Sequence, residues 1–318
     1  MTDSSKRLYR GIIPPLVTPL SGANDLDEAG LERLINHLCD GGVHGLFILG
    51  TTGEAPSLSY QLRRKMIERT CAFTKGRLPV LVGVTDTAFV ESVELANHAA
   101  ECGADAVVVA PPYYLPPGQP ELLEYLNDLI NELPLPCMLY NMPPLTKVEI
   151  GVEVVEQLLN NEGIVGLKDS SGDMSYFHHI ENLAHSSSNW SVLMGPELLM
   201  MDSVLSGGDG GVTGGANLFP RFFSAAWTAA ENGNLDTVHQ MQETMIHLQQ
   251  LYSIGKHASA GIKGIKCALE ILGISSARMA EPFRAFNEPE KEAVTSLLNE
   301  LRKDPLLTAD FDALESDD

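Results

Sequence analysis

The sequence predicts a (β/α)8 barrel, a TIM barrel of the α/β class, with a C-terminal extension of three helices. Short apolar segments alternate with longer amphipathic ones, and eight such pairs occur before the alternation stops. A barrel of this kind needs about 250 residues, and the chain has 318. A doubly wound sheet is the alternative. It more often has about five to seven strands and a G-x-G-x-x-G fingerprint after an early strand, and we find none there.

The eight apolar segments have the composition of strands that are buried on both faces. They are rich in Val, Ile and Leu and are nearly continuous in their hydrophobicity, which is typical of a parallel sheet covered by helices. The predicted strands are residues 11–17, 45–49, 79–84, 106–110, 137–140, 164–167, 192–194 and 210–213.

The segments between these strands have helical periodicity. In residues 26–39, Leu31, Leu34, Ile35 and Leu38 recur at intervals that place them on one helix face. Such a face would cover the outside of the sheet. Further helices of this kind are expected at 91–102, 121–133 and 219–231.

The last part of the chain has only helical patterns. We therefore predict that residues 1–232 form the barrel with the catalytic site. Residues 233–318 are predicted to form a helical extension that belongs to the same structural unit. Its acid-rich end, residues 307–318, is expected to be frayed. The helices of the extension are expected at 235–252, 262–272 and 289–301.

The composition excludes several classes of partner. Lys and Arg number 21 against 42 Asp and Glu, which gives a net charge of −21 at pH 7. Such a field repels phosphate backbones and anionic lipids, so neither nucleic acid nor a membrane is an expected partner. No apolar run reaches the roughly 20 residues that span a bilayer. The first seven residues lack the apolar stretch of a signal peptide.

The cysteines and histidines point to a cytoplasmic protein without a metal. The five cysteines are scattered and never form a C-x-x-C pair, so we expect reduced thiols. The nine histidines show neither H-x-x-x-H nor H-E-x-x-H spacing, and no metal site is expected.

Lys168 is the strongest catalytic candidate. In such barrels the active site lies at the C-terminal ends of the strands. Of the ten lysines, Lys168 alone directly ends an apolar segment, and the other nine lie in helices, tails or loops of polar or mixed character. A buried lysine is unfavourable unless it is paired or loses its proton. Two interpretations follow: a structural ion pair with Asp169, or a nucleophile whose neutral amine forms a Schiff base.

Two neighbouring strand ends offer groups that suit Schiff-base chemistry. Tyr140 ends the preceding strand, and opposite Lys168 its phenol could relay protons; alone, it would be a packed amphipathic side chain. The loop that contains Thr51 and Thr52 is flanked by glycines, and its hydroxyls and backbone N–H groups suit a carboxylate. The alternative for this loop is an ordinary turn before the next helix.

These residues resemble the signatures of the dihydrodipicolinate synthase/N-acetylneuraminate lyase family, over about residues 11–301. The resemblance implies a pyruvate-dependent class I aldolase, usually a homotetramer, that needs no cofactor beyond its covalent Schiff base. Lys168 would bind pyruvate, Tyr140 would relay protons, and Thr51 and Thr52 would hold the carboxylate. Tyr114, in an aromatic loop, would reach the neighbouring subunit's site. The motifs are Gly50-Thr51-Thr52-Gly53-Glu54, Tyr140-Asn141-Met142-Pro143 and Gly166-Leu167-Lys168-Asp169.

Departures from the family motifs narrow the range of expected substrates. The synthases of this family usually have an arginine where this chain has Leu145, which disfavours 4-hydroxy-tetrahydrodipicolinate synthase. Sialic acid lyases share the leucine, but their acidic pair is reduced here to Glu197 followed by Leu198, and their serine is replaced by Gly214. A 2-keto-3-deoxy sugar acid, or a related 2-oxo acid, cleaved reversibly to pyruvate and an aldehyde fits better. The candidates for the aldehyde side are Ser170, Gly195, Glu197 and Thr213.

Four other functions remain open on the sequence. Three are enzymes: N-acetylneuraminate lyase, 4-hydroxy-tetrahydrodipicolinate synthase and a keto-deoxy acid dehydratase. The fourth is a catalytically silent protein that binds a sugar acid. In each case the expected partners are a small 2-oxo acid and further copies of the chain.

Overall fold

Eight parallel strands form the barrel in a computed structural model that describes residues 7–186 and 189–315. They are β1 Gly11–Ile12, β2 Leu46–Ile48, β3 Val80–Gly83, β4 Ala106–Val109, β5 Cys137–Asn141, β6 Ile164–Asp169, β7 Ser191–Met194 and β8 Gly210–Gly211. From β2 to β8 each strand pairs with the next, and β8 pairs with β1. A parallel bridge from Pro15 to Phe47 closes the last seam, so the (β/α)8 fold is confirmed.

The first strand is shorter than its apolar run. Residues 11–17 were expected to be extended, but regular pairing of β1 ends at Ile12. Pro14 and Pro15 follow, and proline has no N–H to donate to a ladder. The chain still accepts a bond from the neighbouring strand, because the Pro14 carbonyl receives the Phe47 N–H at 3.0 Å.

Helices follow the strands and cover the outside of the barrel. The first begins later than expected, because Leu26 pairs in a short antiparallel hairpin, Leu20–Gly22 with Asp25–Leu26. Asp27 then caps the helix by accepting the Gly30 N–H at 2.9 Å. The barrel helices are α1 Glu28–Asp40, α2 Tyr60–Thr74, α3 Phe89–Glu101, α4 Gln119–Glu132, α5 Val152–Leu158, α6 Met174–Ala184, α7 Met200–Leu205 and α8 Pro220–Glu231.

The strands separate two hydrophobic clusters. The larger lies between the strands and the helices, and the smaller fills the interior of the barrel. In β2, Phe47 belongs to the inner cluster while Leu46 and Ile48 belong to the outer one, as the alternation of a strand requires. Tyr140 is also an inner residue, so the interior is a packed core beneath the catalytic end.

The extension contains the predicted helices and one more. The expected helix at 235–252 is divided into α9 and a short turn at Gln250–Ser253. The extension comprises α9 Leu235–Leu248, α10 Ala260–Ile271, α11 Glu288–Leu301 and α12 Thr308–Glu315.

Helix α12 shows that the expectation of a frayed end was wrong for residues 308–315. The Phe311 ring packs against the Phe219 ring, with centroids 5.3 Å apart. The buried Asp310 carboxylate accepts the N–H groups of Arg221 and Phe222 at 2.9 and 3.0 Å. These donors lie in the first turn of α8, where N–H groups lack partners within the helix, so Asp310 caps a barrel helix from the extension.

No helix of the described chain is long and apolar enough to cross a bilayer. All five cysteines are free thiols. In residues 7–186 and 189–315 no cluster of three or more His, Cys, Asp or Glu side chains could hold a metal ion. Residues 1–6, on which the expectation about a signal peptide rests, and residues 316–318 of the acidic tail lie outside the described residues.

Candidate active site

Lys168 lies near the C-terminal end of β6, directly beside Tyr140 on β5. Their Cα atoms are paired in the register of the two strands. Gly166, two residues before the lysine, has φ of +152°, and a side chain there would overlap the Ser191 carbonyl oxygen of β7. Only glycine permits this close approach of two strands, which sets the position from which Lys168 enters the barrel mouth.

The lysine is enclosed by aromatic rings rather than by carboxylates. It is 4% exposed, and its Nζ lies 4.1 Å from the centroid of Tyr140 and 4.9 Å from that of Phe47. Asp169 accepts instead from Asn141 Nδ2 and from the N–H and hydroxyl of Ser171. Lys168 forms no ion pair within the described chain, so the expected alternative of a structural pair with Asp169 is wrong.

Burial and their closeness to each other shift the pKa values of the Lys168 amine and the Tyr140 phenol. Burial lowers the pKa of the Lys168 amine, although the nearby Tyr140 opposes that shift. Burial would raise the pKa of the Tyr140 phenol, but the Lys168 charge and hydrogen bonds from Thr51, Ser170 and Lys168 outweigh it, so the pKa is lowered. Burial therefore favours the neutral amine, and the lowered pKa of the Tyr140 phenol suits that group to exchange protons.

The Tyr140 hydroxyl contacts two of the predicted site residues. Its oxygen is 3.4 Å from Thr51 Oγ1, and Ser170 is also within hydrogen-bonding reach. Thr52 is half-buried but does not line the cavity that Tyr140 and Thr51 face. The structure thus brings Lys168, Tyr140, Thr51 and Ser170 together and leaves Thr52 beside them.

The threonine loop, residues 50–54, has a backbone conformation that only contacts with the surrounding structure can stabilise. Leu49 and Glu54 flank it with φ of 56° and 57°, values that side chains other than glycine seldom adopt. The Thr18 hydroxyl donates to the Gly53 carbonyl at 2.7 Å. Glu54 forms an ion pair with Lys266 of α10. The loop is therefore fixed from the first strand's loop and from the extension.

A cavity of about 530 Å³ opens in front of Tyr140 and Thr51. Its inner wall includes Phe47 and Thr85, and its outer wall comes from the extension. Most of the lining is apolar, and it contains no lysine or arginine side chain among the described residues. The lining residues from the extension are His257, Ala258, Ser259, Ile262, Met279 and Phe283.

Seven of the nine predicted residues do not line this cavity. Lys168 and Ser170 are among them, although both contact Tyr140, which does line it. Gly195 packs against Ser170, whose Oγ would overlap any side chain at that position. Glu197 is buried, and its carboxylate accepts from Gln249 Nε2 and the Gly215 N–H. Thr213 is fully buried, with no partner for its hydroxyl in the described chain. Tyr114 is 88% exposed.

Two residues outside the predicted set lie at or near the site. Tyr113 lines the cavity of its own chain, and burial raises the pKa of its phenol. Sequence reasoning also missed Lys266, which is fully buried. A signal existed, because Lys266 lies in a helical segment with Ile265 before it and Cys267, Ala268 and Leu269 after it. The wall from the extension left no local signal, since its residues are distant in sequence from the motifs.

A buried lysine beside a tyrosine at the catalytic end of a (β/α)8 barrel is the arrangement of an aldolase-type enzyme. The family follows from comparison with known proteins: a model of the dihydrodipicolinate synthetase family matches residues 8–301, and the chain belongs to that family. Its members include synthases and aldolases, and the protein is a carbon–carbon lyase.

Three similar proteins illustrate the range of the family. A structure of dihydrodipicolinate synthase from Bacteroides thetaiotaomicron is 49% identical, with a TM-score of 0.89, and the match covers 92% of this chain and 98% of that one. The 4-hydroxy-tetrahydrodipicolinate synthase of Phenylobacterium zucineum is 30% identical, over 92% of this chain and 97% of its own length. The putative 2-dehydro-3-deoxy-D-gluconate aldolase YagE of Escherichia coli is 30% identical, over 93% and 98%.

Proposed function

We propose that the protein forms a Schiff base between Lys168 and pyruvate and catalyses the reversible aldol cleavage of a 2-keto-3-deoxy sugar acid, or a related 2-oxo acid, to pyruvate and an aldehyde. The observation that carries the proposal is the enclosed Lys168 amine, which has no carboxylate partner in the described chain and lies against the Tyr140 ring. A structure of YagE in complex with pyruvate, 29% identical with a TM-score of 0.87, supports the same first substrate.

Cleavage of the keto-deoxy acid begins at the Lys168 amine. The Lys168 amine attacks the C2 carbonyl carbon, and water leaves as the C=N bond forms. The C4 hydroxyl loses its proton, the C3–C4 bond breaks, and its electron pair moves to the iminium, which gives an enamine and the free aldehyde. C3 then takes up a proton, and water adds to C2 to release pyruvate and the amine. Tyr140, with Thr51 beside its hydroxyl, is placed to relay these protons.

Two features of the cavity favour an uncharged aldehyde over a second carboxylate. Leu145 lines the cavity where the synthases of the family usually have an arginine. No lysine or arginine side chain lines the cavity in the described chain. His257, Ser259, Thr85 and the Tyr113 hydroxyl offer hydrogen bonds to an aldehyde's hydroxyl groups. This supports a keto-deoxy acid rather than aspartate semialdehyde. N-acetylneuraminate is less suited, because Glu197 is already bonded to Gln249 and Gly215.

The assembly and location are proposed with the activity. Tyr114 and Leu115 are 88% and 83% exposed on the loop after β4, which supports their coverage by another subunit of a homotetramer. The five free cysteines support a cytoplasmic location. No cofactor is proposed, because the iminium formed between Lys168 and the 2-oxo acid supplies the electron sink.

Borohydride trapping tests the proposal directly. Incubation with pyruvate and borohydride is expected to add a reduced pyruvate adduct to the peptide that contains Lys168, as measured by mass spectrometry. Lys168→Ala abolishes the adduct and the release of pyruvate from keto-deoxy acids, whereas Lys303→Ala, an exposed lysine on the extension, leaves both unchanged. Labelling elsewhere, or none in the wild-type protein, would refute the mechanism and favour a silent binding protein.

Product analysis separates the remaining enzymes. A coupled assay for pyruvate release over a panel of keto-deoxy acids, sialate and, in the condensation direction, aspartate semialdehyde measures kcat/KM for each. We expect the keto-deoxy acids to be the best substrates and to yield pyruvate without loss of water. Loss of water without pyruvate release would identify a dehydratase.

A further inference from the structure

The chain encloses a second lysine, on the extension, that has no role in the proposed chemistry. Lys266 of α10 is fully buried, and its Nζ lies 2.7 Å from Glu54 Oε1 and 2.9 Å from the Thr18 carbonyl oxygen. The other oxygen of Glu54 accepts the Ala280 N–H at 2.9 Å. A buried charge without a partner is very unfavourable, so these groups form one fixed unit.

This unit is attached to the loop that contains Thr51. Glu54 ends the Gly-Thr-Thr-Gly-Glu loop in the left-handed region, with φ of 57°. A conformation of that kind persists only where the surrounding structure fixes it. Lys266 and Ala280 supply that fixation through the Glu54 carboxylate. Because Glu54 is three residues from Thr51, the position of the Thr51 hydroxyl beside Tyr140 depends on the same contacts.

The pair also acts on the charge of the cavity. Glu54 lines the cavity together with Thr51 and Tyr140, where the carboxylate of a 2-oxo acid would bind. An uncompensated carboxylate there would repel such a substrate strongly, because two like charges interact over a short distance in a medium of low dielectric constant. Lys266 approaches Glu54 within 2.7 Å and cancels that field.

We propose that the Lys266–Glu54 ion pair is a positioning unit for substrate binding: it fixes the threonine loop in its binding conformation and neutralises Glu54 toward an anionic 2-oxo acid. Both are positioning residues, since the reacting atoms are those at Lys168 and Tyr140. The proposal assigns the extension a part in pyruvate binding. It rests on the proposed function, because pyruvate is the probe.

The test uses a double variant that leaves no unpaired buried charge. Glu54→Gln/Lys266→Met removes both charges of the buried pair. The matched control is Glu270→Gln/Lys291→Met, which makes the same substitutions in an exposed pair of the extension, 2.9 Å apart and far in sequence from the threonine loop. For each protein, the measurements are the pyruvate concentration at half-maximal borohydride trapping, the trapping rate at saturation and the thermal midpoint.

We expect the half-saturating pyruvate concentration of the buried-pair variant to rise at least tenfold, while its rate at saturation stays within about threefold of wild type. The control changes neither. Lys266→Met alone, which leaves the Glu54 charge uncompensated, raises the half-saturating concentration further. An unchanged half-saturation in the buried-pair variant, even with a lowered thermal midpoint, would overturn the proposal, because the pair would then serve stability alone.

The remaining outcomes of the experiment are also distinguishable. If the buried-pair variant does not fold, Lys266→Arg, which keeps the charge, is compared with Lys266→Met, and equal half-saturation in these two variants overturns the proposal. Absence of trapping in the wild-type protein overturns the proposed function and this proposal with it. Trapping in the wild-type protein with no change in the variants overturns this proposal alone.

Discussion

Lys168 Nζ lies 4.1 Å from the centroid of the Tyr140 ring, on the neighbouring strand and in register with it. The contact places the amine over the face of a phenol whose hydroxyl is 3.4 Å from Thr51 Oγ1. A lysine in this position is held without a carboxylate partner in the described chain, and burial lowers its pKa. The relationship therefore links the nucleophile, the proton relay and the threonine loop.

Removal of the Tyr140 hydroxyl tests the relay. We expect Tyr140→Phe to lower kcat by about 10²- to 10⁴-fold, the usual contribution of a general acid–base group. The aromatic face over Lys168 remains, so the protein stays folded, and slow borohydride trapping at Lys168 persists. Steady-state kinetics, trapping and thermal unfolding check this. A variant with wild-type kcat would assign the proton transfers to another group.

The position of Lys168 could be predicted from sequence because the barrel rule reduces the search to strand ends. The residues directly before it, 164–167, are apolar, and Lys168 is the only one of the ten lysines that directly ends such a segment. The enclosure of Lys266 was missed because the criterion considered strands alone. That side chain is buried between a helix of the extension and the loop of Glu54, which are separated by more than 200 positions in the chain.

The aldehyde side was the least predictable part of the site. The candidates for the aldehyde side were Ser170, Gly195, Glu197 and Thr213, yet none of these lines the cavity. The carboxylate of Glu197 is taken by Gln249 of the extension, a contact that no motif encodes. The outer wall of the cavity also comes from the extension. Its packing on the barrel, rather than any local pattern, decides which side chains a substrate would meet.

The rate of Schiff-base formation should rise with pH, and the lowered pKa of Lys168 should set where that rise occurs. Only the neutral amine attacks a carbonyl, so the trapping rate rises as pH increases through that pKa and then reaches a plateau. Because burial lowers the pKa, the midpoint of this rise lies below the ordinary lysine value of about 10.4. Single-turnover trapping rates between about pH 5 and 10 measure the profile. A midpoint near the ordinary value would contradict this environment.

The last described helix should contribute measurably to stability. Phe311 is 2% exposed against Phe219, and loss of a buried aromatic side chain usually costs about 3–5 kcal/mol. We therefore expect Phe311→Ala to lower the free energy of unfolding by about that amount. Asp312→Ala, the exposed neighbour, should change it by less than about 0.5 kcal/mol. Urea unfolding followed by circular dichroism tests both. Equal stability of the two variants would restore the picture of a frayed end.

A cation at position 145 should redirect specificity toward aldehydes that carry a carboxylate. Leu145 lines the cavity and is 46% exposed, so an arginine there has room and needs no buried partner. A charge-assisted hydrogen bond contributes about 1.5–3 kcal/mol, and 1.4 kcal/mol corresponds to tenfold. Leu145→Arg should therefore raise kcat/KM for aspartate semialdehyde relative to an uncharged aldehyde by about tenfold or more in the condensation direction. Leu235→Arg, at an exposed leucine on α9 outside the cavity, serves as the control and should leave the ratio unchanged. An unchanged ratio in Leu145→Arg would show that the second substrate does not approach this wall.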